Sequence, residues 1–293
     1  MHTYVCIKQT PDSSSVYIDP ITEKVDTERF VQVLNPADAC AIEAAVRLKE
    51  QLGGTITVLT LGPEDADGAL RAALALGADT ALRLWNVQAT KWGPFTVASA
   101  LAAYISQEMS ELPNLILCGN ATSDWSSGIV GPALAEKLNL PQITNVMQLE
   151  FLEEQGKIKL RATRKLERGY SELLVAQFPV LLTVTSDLNE PGYPSLPAHM
   201  AALRAKIPVF DPLPFIDIEE AEETTLLEMH MPRPRPHRVS KPNSHHSAFE
   251  RIGEIISGGA TGRQTRLVEG TPDELAEVLI KFLQDKGFLE DKS

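Results

Sequence analysis

The chain has 293 residues, 43% hydrophobic and 23% charged, which is typical of a globular protein with a sizeable buried core. Its net charge of −12 argues against nucleic acid as a partner, because a phosphate backbone calls for a basic surface. No run of 18 or more apolar residues occurs, so the sequence predicts no membrane-spanning helix. Cys6, Cys40 and Cys118 form no CxxC pair, and the chain opens directly on a strand-like stretch without a signal segment. We therefore expect free thiols in a cytoplasmic protein.

The first two-thirds of the chain alternates β-rich runs with helical patterns. The sequence predicts strands at 4–7, 55–61, 81–85 and 114–118, and helices at 36–52, 66–76, 95–109 and 133–138. Asn35 is expected to cap the first of these helices, and Pro36 suits its first position. Strands that alternate with helices of about a dozen residues form βαβ units. We therefore predict an α/β protein with a doubly wound, mostly parallel sheet.

Beyond Pro141 the pattern changes. Residues 147–151 and 158–164 flank a Gly-containing turn and predict a small β-hairpin region, an insertion at about 145–175. An apolar strand at 178–184, a Pro-rich loop at 189–197 and a helix at 198–205 follow. These elements complete a predicted nucleotide-binding domain over residues 1–209.

Residues 210–293 are predicted to form an extended C-terminal arm that ends in a helix. The arm carries an acidic run at 219–223 and the basic Pro-rich run 232–238. Thr271 and Glu274 form a capping box ahead of a helix at 275–283. This composition favours a clasp for a partner over a part of the core.

The segment Gly119–Gly131 carries the main functional signal. It follows a buried strand, consists largely of small polar residues and leads into a helix, whose free backbone N–H groups and dipole favour an anion. One interpretation is a nucleotide-binding turn, and the other is an ordinary loop whose helix is capped by Asp124 or Ser126. In a parallel sheet the loops after Cys6, Leu61 and Cys118 converge at the carboxyl ends of the strands, which favours the nucleotide.

Other motifs point away from an enzyme. The sequence has no GxGxxG fingerprint and no GxSxG elbow, and residues 258–265 lack the GK[ST] ending of a P-loop. His245 and His246 have no neighbouring Cys or carboxylate, so we expect a solvated loop and no metal site there. A nucleotide cradle without a catalytic constellation indicates a carrier or regulatory subunit.

Seven sequence blocks, taken together, identify a family. They are Lys8-Gln-Thr-Pro-Asp12 with 18–20, Asn35-Pro-Ala-Asp38 with 41–50, Leu61-Gly-Pro63, 70–79, 124–136, 178–184, and Asn189-Glu-Pro191 with Tyr193-Pro-Ser-Leu196. In this order they resemble the β subunit of electron transfer flavoproteins over nearly the whole of the first 210 residues. The first two blocks are more similar to nitrogen-fixation-associated and bifurcating members than to the mitochondrial type.

The resemblance implies a Rossmann-like adenine-nucleotide-binding fold and an electron carrier that is not itself an enzyme. Such a β subunit pairs with an α subunit, shares its FAD at the interface, and holds AMP or a second FAD in its own domain. The implied donor is an acyl-CoA or related dehydrogenase, as in fatty acid oxidation, and the acceptor is a membrane-bound or quinone-linked oxidoreductase. Tyr193 and Leu196 match the loop that docks the dehydrogenase.

The resemblance also implies the residues that surround the nucleotide. Those around the adenosine are Cys6, Asn35, Pro36, Ala37, Asp38 and Leu61. Those around the ribose and phosphate are Asp124, Trp125, Ser126, Ser127, Gly128, Ile129, Val130, Gly131, Pro132, Ala133, Leu134 and Ala135.

Departures from the family pattern bear on which nucleotide is held. Trp125 stands where bifurcating members have a small residue, and Ser127-Gly-Ile129 replaces their Thr-Ala-Gln. A bulky indole can fill the space of a second flavin or stack on it, and the small substitutions favour AMP. Two other classes stay open: a nucleotide-sensing regulatory domain that moves no electrons, and an adenylating enzyme, although the SGGxDS-type loop of the latter is missing.

Overall fold

A computed structural model of the chain describes residues 1–17, 19, 31–108, 113–154, 157–216, 247, 249, 252 and 270–285. The chain divides into two compact units, Met1–Leu227 and Glu228–Ser293. The first unit contains the sheet and all the residues predicted to surround the nucleotide or to dock the dehydrogenase.

The elements of the first unit follow the predicted alternation of strands and helices. The strands are β1 His2–Cys6, β2 Gln9–Pro11, β3 Gln32–Leu34, β4 Thr55–Leu61, β5 Thr80–Leu84, β6 Leu115–Gly119, β7 Gln142–Glu154, β8 Lys157–Lys165, β9 Ser171–Gln177, β10 Val180–Val184 and β11 Val209–Phe210. The helices are α1 Pro36–Leu52, α2 Asp67–Leu76, α3 Pro94–Glu108, α4 Val130–Lys137 and α5 Leu196–Arg204.

Within the described residues, nine of these strands form one sheet in the order β11-β5-β4-β1-β6-β10-β7-β8-β9. The pairs from β11 to β7 are parallel, whereas β8 and β9 are antiparallel additions to β7. The chain runs from β1 outward through β4 to β5, and then returns to the other side of β1 with β6. The strand order therefore reverses between β1 and β6, which is where ligands bind in open α/β sheets.

Helices cover both faces of the parallel strands, which confirms the doubly wound α/β prediction. Because side chains alternate along a strand, Val5 of β1 packs beneath α1 and α2, and Tyr4 packs on the opposite face beneath α3 and α4. The same division holds in β6, where Leu117 and Ile116 lie on opposite faces. The two apolar cores fix the positions of the loops that leave β1 and β6.

Three parts of the first unit differ from the prediction. The hairpin has a third strand, β9, and the stretch between β1 and α1, for which the sequence predicts no strand, contains the antiparallel pair β2–β3. None of these three strands shows the regular apolar alternation that marks a half-buried strand. Helix α5 begins at Leu196 rather than at residue 198, because the Ser195 hydroxyl caps it by accepting the Ala198 N–H at 3.3 Å.

The second unit contains helix α6, Pro272–Asp285. One half of its predicted capping box is present, since a Glu274 carboxylate oxygen accepts the Thr271 N–H at 2.9 Å. The Thr271 hydroxyl donates to the same oxygen at 3.0 Å. The runs 219–223 and 232–238, the linker at 258–265 and the pair His245-His246 lie outside the described residues. Across the part of the chain that the structure describes, we find no helix with the length and hydrophobicity needed to cross a membrane.

Candidate functional site

Asp38 joins the two loops that meet at the reversal point of the sheet. It lies in the first turn of α1 and is 3% exposed. One carboxylate oxygen accepts the backbone N–H of Lys8, just after β1, and the other accepts that of Gly119, at the end of β6, both at 2.8 Å. Burial raises the pKa of Asp38 to about 7, although these two hydrogen bonds and one from Asn35 act in the opposite direction.

Asn35 also holds the loop after β6, rather than capping α1 with its side chain as predicted. It occupies the N-cap position of α1, but among the described residues its side chain makes no capping bond. Its Nδ2 donates to the carbonyl oxygen of Ala121 at 3.1 Å, and its Oδ1 accepts the N–H of Ser123 at 3.1 Å. The expectation that Asn35 caps its helix is therefore wrong, because both polar atoms of this buried amide are used to hold the loop after β6.

Two side-chain contacts complete the link between the loops. The Ser123 hydroxyl donates to the hydroxyl of Thr10, which is buried in β2, at 2.9 Å. The Lys8 ammonium lies 2.5 Å from a carboxylate oxygen of Asp124. Burial opposes ionisation of Asp124, but hydrogen bonds, chiefly from Lys8, outweigh it and lower the pKa of this carboxyl. Asp124 is therefore an anion paired across the crevice.

The N-terminus of α4 faces this crevice without a side-chain cap. Its first residue is Val130, its N-cap is Ile129, and within the described residues no side chain caps its backbone N–H groups. The side-chain cap that the alternative interpretation assigned to Asp124 or Ser126 is therefore not formed. Asp124 binds Lys8 and the Trp125 N–H, and the Ser126 hydroxyl donates to the Thr122 carbonyl at 3.1 Å. The uncapped N–H groups and the helix dipole fit an anionic group such as a phosphate.

The backbone of the loop bends sharply just before α4. Ser126 and Gly128 have φ angles of 51° and 64°, a left-handed conformation that glycine adopts at little cost. Trp125 directly precedes this bend in the sequence and is 75% exposed. The turn thus presents backbone and one indole, rather than a set of charged side chains, to a ligand.

The remaining residues proposed for the nucleotide site divide into accessible and buried groups. Pro36 and Ser127 are exposed, and Leu61, Ile129, Val130, Pro132 and Ala133 are partly buried near the same edge. Those packed in the core or against it are Cys6, Ala37, Gly131, Leu134 and Ala135.

Gly131 lets α4 pack closely against the sheet because it has no side chain. A Cβ atom at this position would lie 2.6 Å from Thr183 Cγ2 and 2.8 Å from Cys118 Sγ. Its missing side chain therefore makes room for β10 and β6, so that α4 can approach the sheet closely.

Cys6 and Cys118 are neighbours across the paired strands β1 and β6, beneath the crevice. Both are free and buried, as is Cys40. Burial, reinforced by the nearby Asp38, raises the pKa of Cys6 to about 12, and burial likewise raises that of Cys118. Such thiols are unreactive packing residues. The described residues also contain no group of three or more His, Cys, Asp or Glu side chains placed to hold a metal ion.

The residues proposed to dock a partner lie on a separate, firmly held surface. Tyr193 is fully exposed, and Leu196 is 73% exposed as the first residue of α5. The preceding loop is tied to α1, since Asn189 donates to the Cys40 carbonyl at 3.0 Å. At the other end of α5, Arg71 Nη1 donates to the carbonyl oxygens of residues 202, 203 and 205 at 2.8–2.9 Å. An apolar side chain on so fixed a helix loses little entropy on docking.

Reasoning from the sequence did not assign a role to Lys8, Thr10 or Ser123. Each of them links the loops that follow β1 and β6. Lys8 and Thr10 lie in the block Lys8-Gln-Thr-Pro-Asp12, whose resemblance to the family implies no role for either side chain. Their function depends on partners more than 110 positions away in the sequence, so no local pattern could have revealed it.

Comparison with known proteins places this geometry in a family. Residues 23–214 match the electron transfer flavoprotein domain. The chain belongs to the electron transfer flavoprotein family. The electron transfer flavoprotein subunit beta of Thermoanaerobacterium thermosaccharolyticum is 34% identical over 92% of this chain and 97% of its own length.

Two further relatives carry different names. Protein FixA of Azotobacter vinelandii is 32% identical over 87% of this chain and 92% of its own length. Subunit CarD of the caffeyl-CoA reductase-Etf complex of Acetobacterium woodii is 34% identical over 72% of this chain and 78% of its own length. These relatives support an electron transfer flavoprotein subunit of the kind that pairs with an α subunit.

Proposed function

We propose that this chain is the β subunit of a heterodimeric electron transfer flavoprotein and that it binds an adenine nucleotide at the reversal point of its sheet. The observation that carries the proposal is the uncapped N-terminus of α4, which opens onto a crevice whose two loops are joined by Asp38 and Asn35. An anion placed there meets backbone N–H groups and the positive end of the helix dipole.

Within this site the residues have different tasks. Asp38 and Asn35 direct their polar atoms at protein backbone, so they shape the crevice. The backbone from Gly128 to Gly131 would hold the phosphate, and Asp124 lies at the rim, where a ribose hydroxyl could donate to it. Leu134 and Ala135 would support α4 from the core, since both are fully buried.

We propose AMP, rather than a second FAD, as the nucleotide of this subunit. The exposed Trp125 indole stands beside the binding turn and would occupy space that an isoalloxazine ring needs. With AMP in this site, the FAD shared with the α subunit supplies the one- and two-electron chemistry. This chain would contribute part of the wall around that flavin and perform no catalytic step itself.

The implied partners follow from the docking surface and the relatives. Leu196 and Tyr193 would contact a dehydrogenase of the acyl-CoA or a related type, with Leu196 as the apolar anchor. The name of the Acetobacterium woodii relative places it in a complex with a CoA-ester reductase, which is consistent with such a partner. A membrane-bound or quinone-linked oxidoreductase would accept the electrons. Three free cysteines suit the reducing cytoplasm as the location.

The decisive experiment is to co-express this chain with its α subunit and to identify the nucleotides that heat denaturation releases. We expect a yellow heterodimer that releases one AMP and one FAD. Two FAD per heterodimer would overturn the choice of AMP. A colourless homo-oligomer that binds ATP would instead indicate a nucleotide-sensing regulatory domain without electron transfer.

A variant locates the nucleotide within the subunit. Asp124→Ala removes a rim carboxylate that is paired with Lys8, so we expect a lower AMP content with the FAD content unchanged. Asp187→Ala, which breaks an exposed pair with Lys165 on another part of the surface, is the matched control. Equal AMP content in both variants would contradict the assignment of this loop.

A further inference from the structure

Lys8 is fixed at three points where the loops after β1 and β6 meet. Its backbone N–H donates to Asp38 at 2.8 Å, and its carbonyl oxygen accepts the N–H of Asn35 at 3.0 Å. Its ammonium reaches across to Asp124 at 2.5 Å. The backbone of Lys8 is thus held by α1 while its side chain holds the opposite loop.

The ion pair is the outermost of the links between the two loops. Deeper in the crevice, Asn35 binds the backbone at Ala121 and Ser123, and the Ser123 hydroxyl binds Thr10. Beyond Asp124 the loop turns back on itself, with the Ser126 N–H donating to the Thr122 carbonyl at 2.9 Å, and then enters α4. Lys8 therefore ties Asp124 to the opposite loop just before the turn that leads to the helix N-terminus.

The pair is accessible to solvent and ions. The side chains of Lys8 and Asp124 are 42% and 20% exposed, so salt in solution reaches the ammonium group and screens its attraction to the carboxylate. Exposed pairs contribute little to stability, whereas a pair that joins two loops across a crevice affects how often the crevice opens.

We infer that Lys8 is a positioning residue that holds the nucleotide loop closed, and that the Lys8–Asp124 pair opens before a nucleotide enters or leaves. The inference rests on the proposed nucleotide site and deepens it. A site that closes in this way retains its nucleotide as a resident cofactor, whereas a nucleotide sensor needs rapid exchange.

Hydrogen exchange of the backbone amides from 120 to 130 tests the positioning role without any nucleotide. The full chain is compared with its Lys8→Met and Lys8→Arg variants at low salt and at about 1 M salt, where the Debye length is about 3 Å. We expect Lys8→Met to raise the exchange rates about two- to fivefold at low salt, the range that an exposed ion pair supports, and to abolish the response to salt. Lys8→Arg keeps the charge and should retain both slow exchange and the salt response.

The chain supplies a matched control. Lys49 pairs with Asp79 at the same 2.5 Å with similar exposure, but Asp79 holds the N–H of Ile56 at the other end of the sheet. Lys49→Met should leave exchange at 120–130 unchanged. If the amides 120–130 exchange in Lys8→Met at the same rates as in wild type, or if the salt response persists in that variant, the positioning role is overturned.

A second measurement follows the release of radiolabelled AMP into excess unlabelled AMP. Lys8→Met should release it about two- to fivefold faster than wild type at low salt, and 1 M salt should bring wild type to the rate of the variant. Equal release rates would refute the link between the pair and nucleotide exchange. If wild-type protein binds no AMP, the proposed nucleotide fails, while the exchange measurement still decides the role of Lys8.

Discussion

Replacing Asp38 with asparagine changes one buried atom at the centre of the site. Each oxygen of this carboxylate accepts a backbone N–H at 2.8 Å, one from Lys8 and one from Gly119. Asparagine has the same shape but offers one acceptor and one NH₂ donor. One of the two backbone N–H groups then faces the NH₂ donor and has no acceptor. Water does not readily replace that acceptor, because residue 38 is only 3% exposed.

The expected loss follows from the cost of an unsatisfied buried group. An N–H left without its partner destabilises a protein by about 1–3 kcal/mol. For a unit of this size that loss lowers the melting temperature by roughly 2–12 °C. Because the lost bond joins the loops, hydrogen exchange should also rise at Lys8 and Gly119 more than in β10.

The assay is thermal and urea unfolding of the full chain and of Asp38→Asn at pH 7, with Asp187→Asn as the control. Asp187 carries the same substitution into an exposed pair with Lys165, so its effect should stay within about 0.5 kcal/mol. Equal stability of the two variants would refute the argument that Asp38 links the loops by accepting both N–H groups.

Three further predictions concern charge, packing and docking. Burial raises the pKa of Asp38 from 3.8 to about 7, so its contribution to stability is complete below pH 3.8 and is lost as the pH rises through about 7. The neutral carboxyl that dominates at pH 5 still has a lone pair on each oxygen to accept the two N–H groups, which the amide of asparagine does not. The advantage of wild type over Asp38→Asn in urea unfolding should therefore be larger at pH 5 than at pH 8, and a constant difference would contradict the shift. Gly131→Ala should destabilise by about 1–3 kcal/mol, since its Cβ would lie 2.6 Å from Thr183. Gly68→Ala in α2 meets only one atom, at 3.8 Å, and should be neutral or stabilising by up to about 1 kcal/mol, so similar losses in the two variants during thermal unfolding would count against the packing role of Gly131. Leu196→Ala should weaken dehydrogenase binding by about tenfold or more in a titration of the heterodimer, whereas Leu173→Ala on the exposed edge strand β9 should not; equal binding by both would exclude Leu196 as the anchor.

The sequence alone determined the class of fold, because hydrophobic periodicity depends on local spacing. The run at 55–61 coincides with β4, and the pattern that begins at Pro36 coincides with α1. Residues that alternate or recur every third or fourth position reveal which face is buried wherever the element later packs. The strand β9 was missed because its two exposed apolar residues, Leu173 and Val175, disguise the alternation.

Only the tertiary structure decided what the polar residues of the site do. From the sequence, Asn35 is expected to cap α1, and a cap of α4 by Asp124 or Ser126 is one of two interpretations, since capping preferences are local. In the folded chain, the Asn35 side chain binds a loop 86 positions away, and the Asp124 side chain binds Lys8, 116 positions away. Those contacts exist because β1 and β6 lie side by side in the sheet although they are far apart in the sequence. Because Asp124 binds Lys8, it does not cap α4, whose N-terminus lies at the reversal point without a side-chain cap. The sequence alone locates this turn, but the contacts that hold it come from residues far away in the sequence.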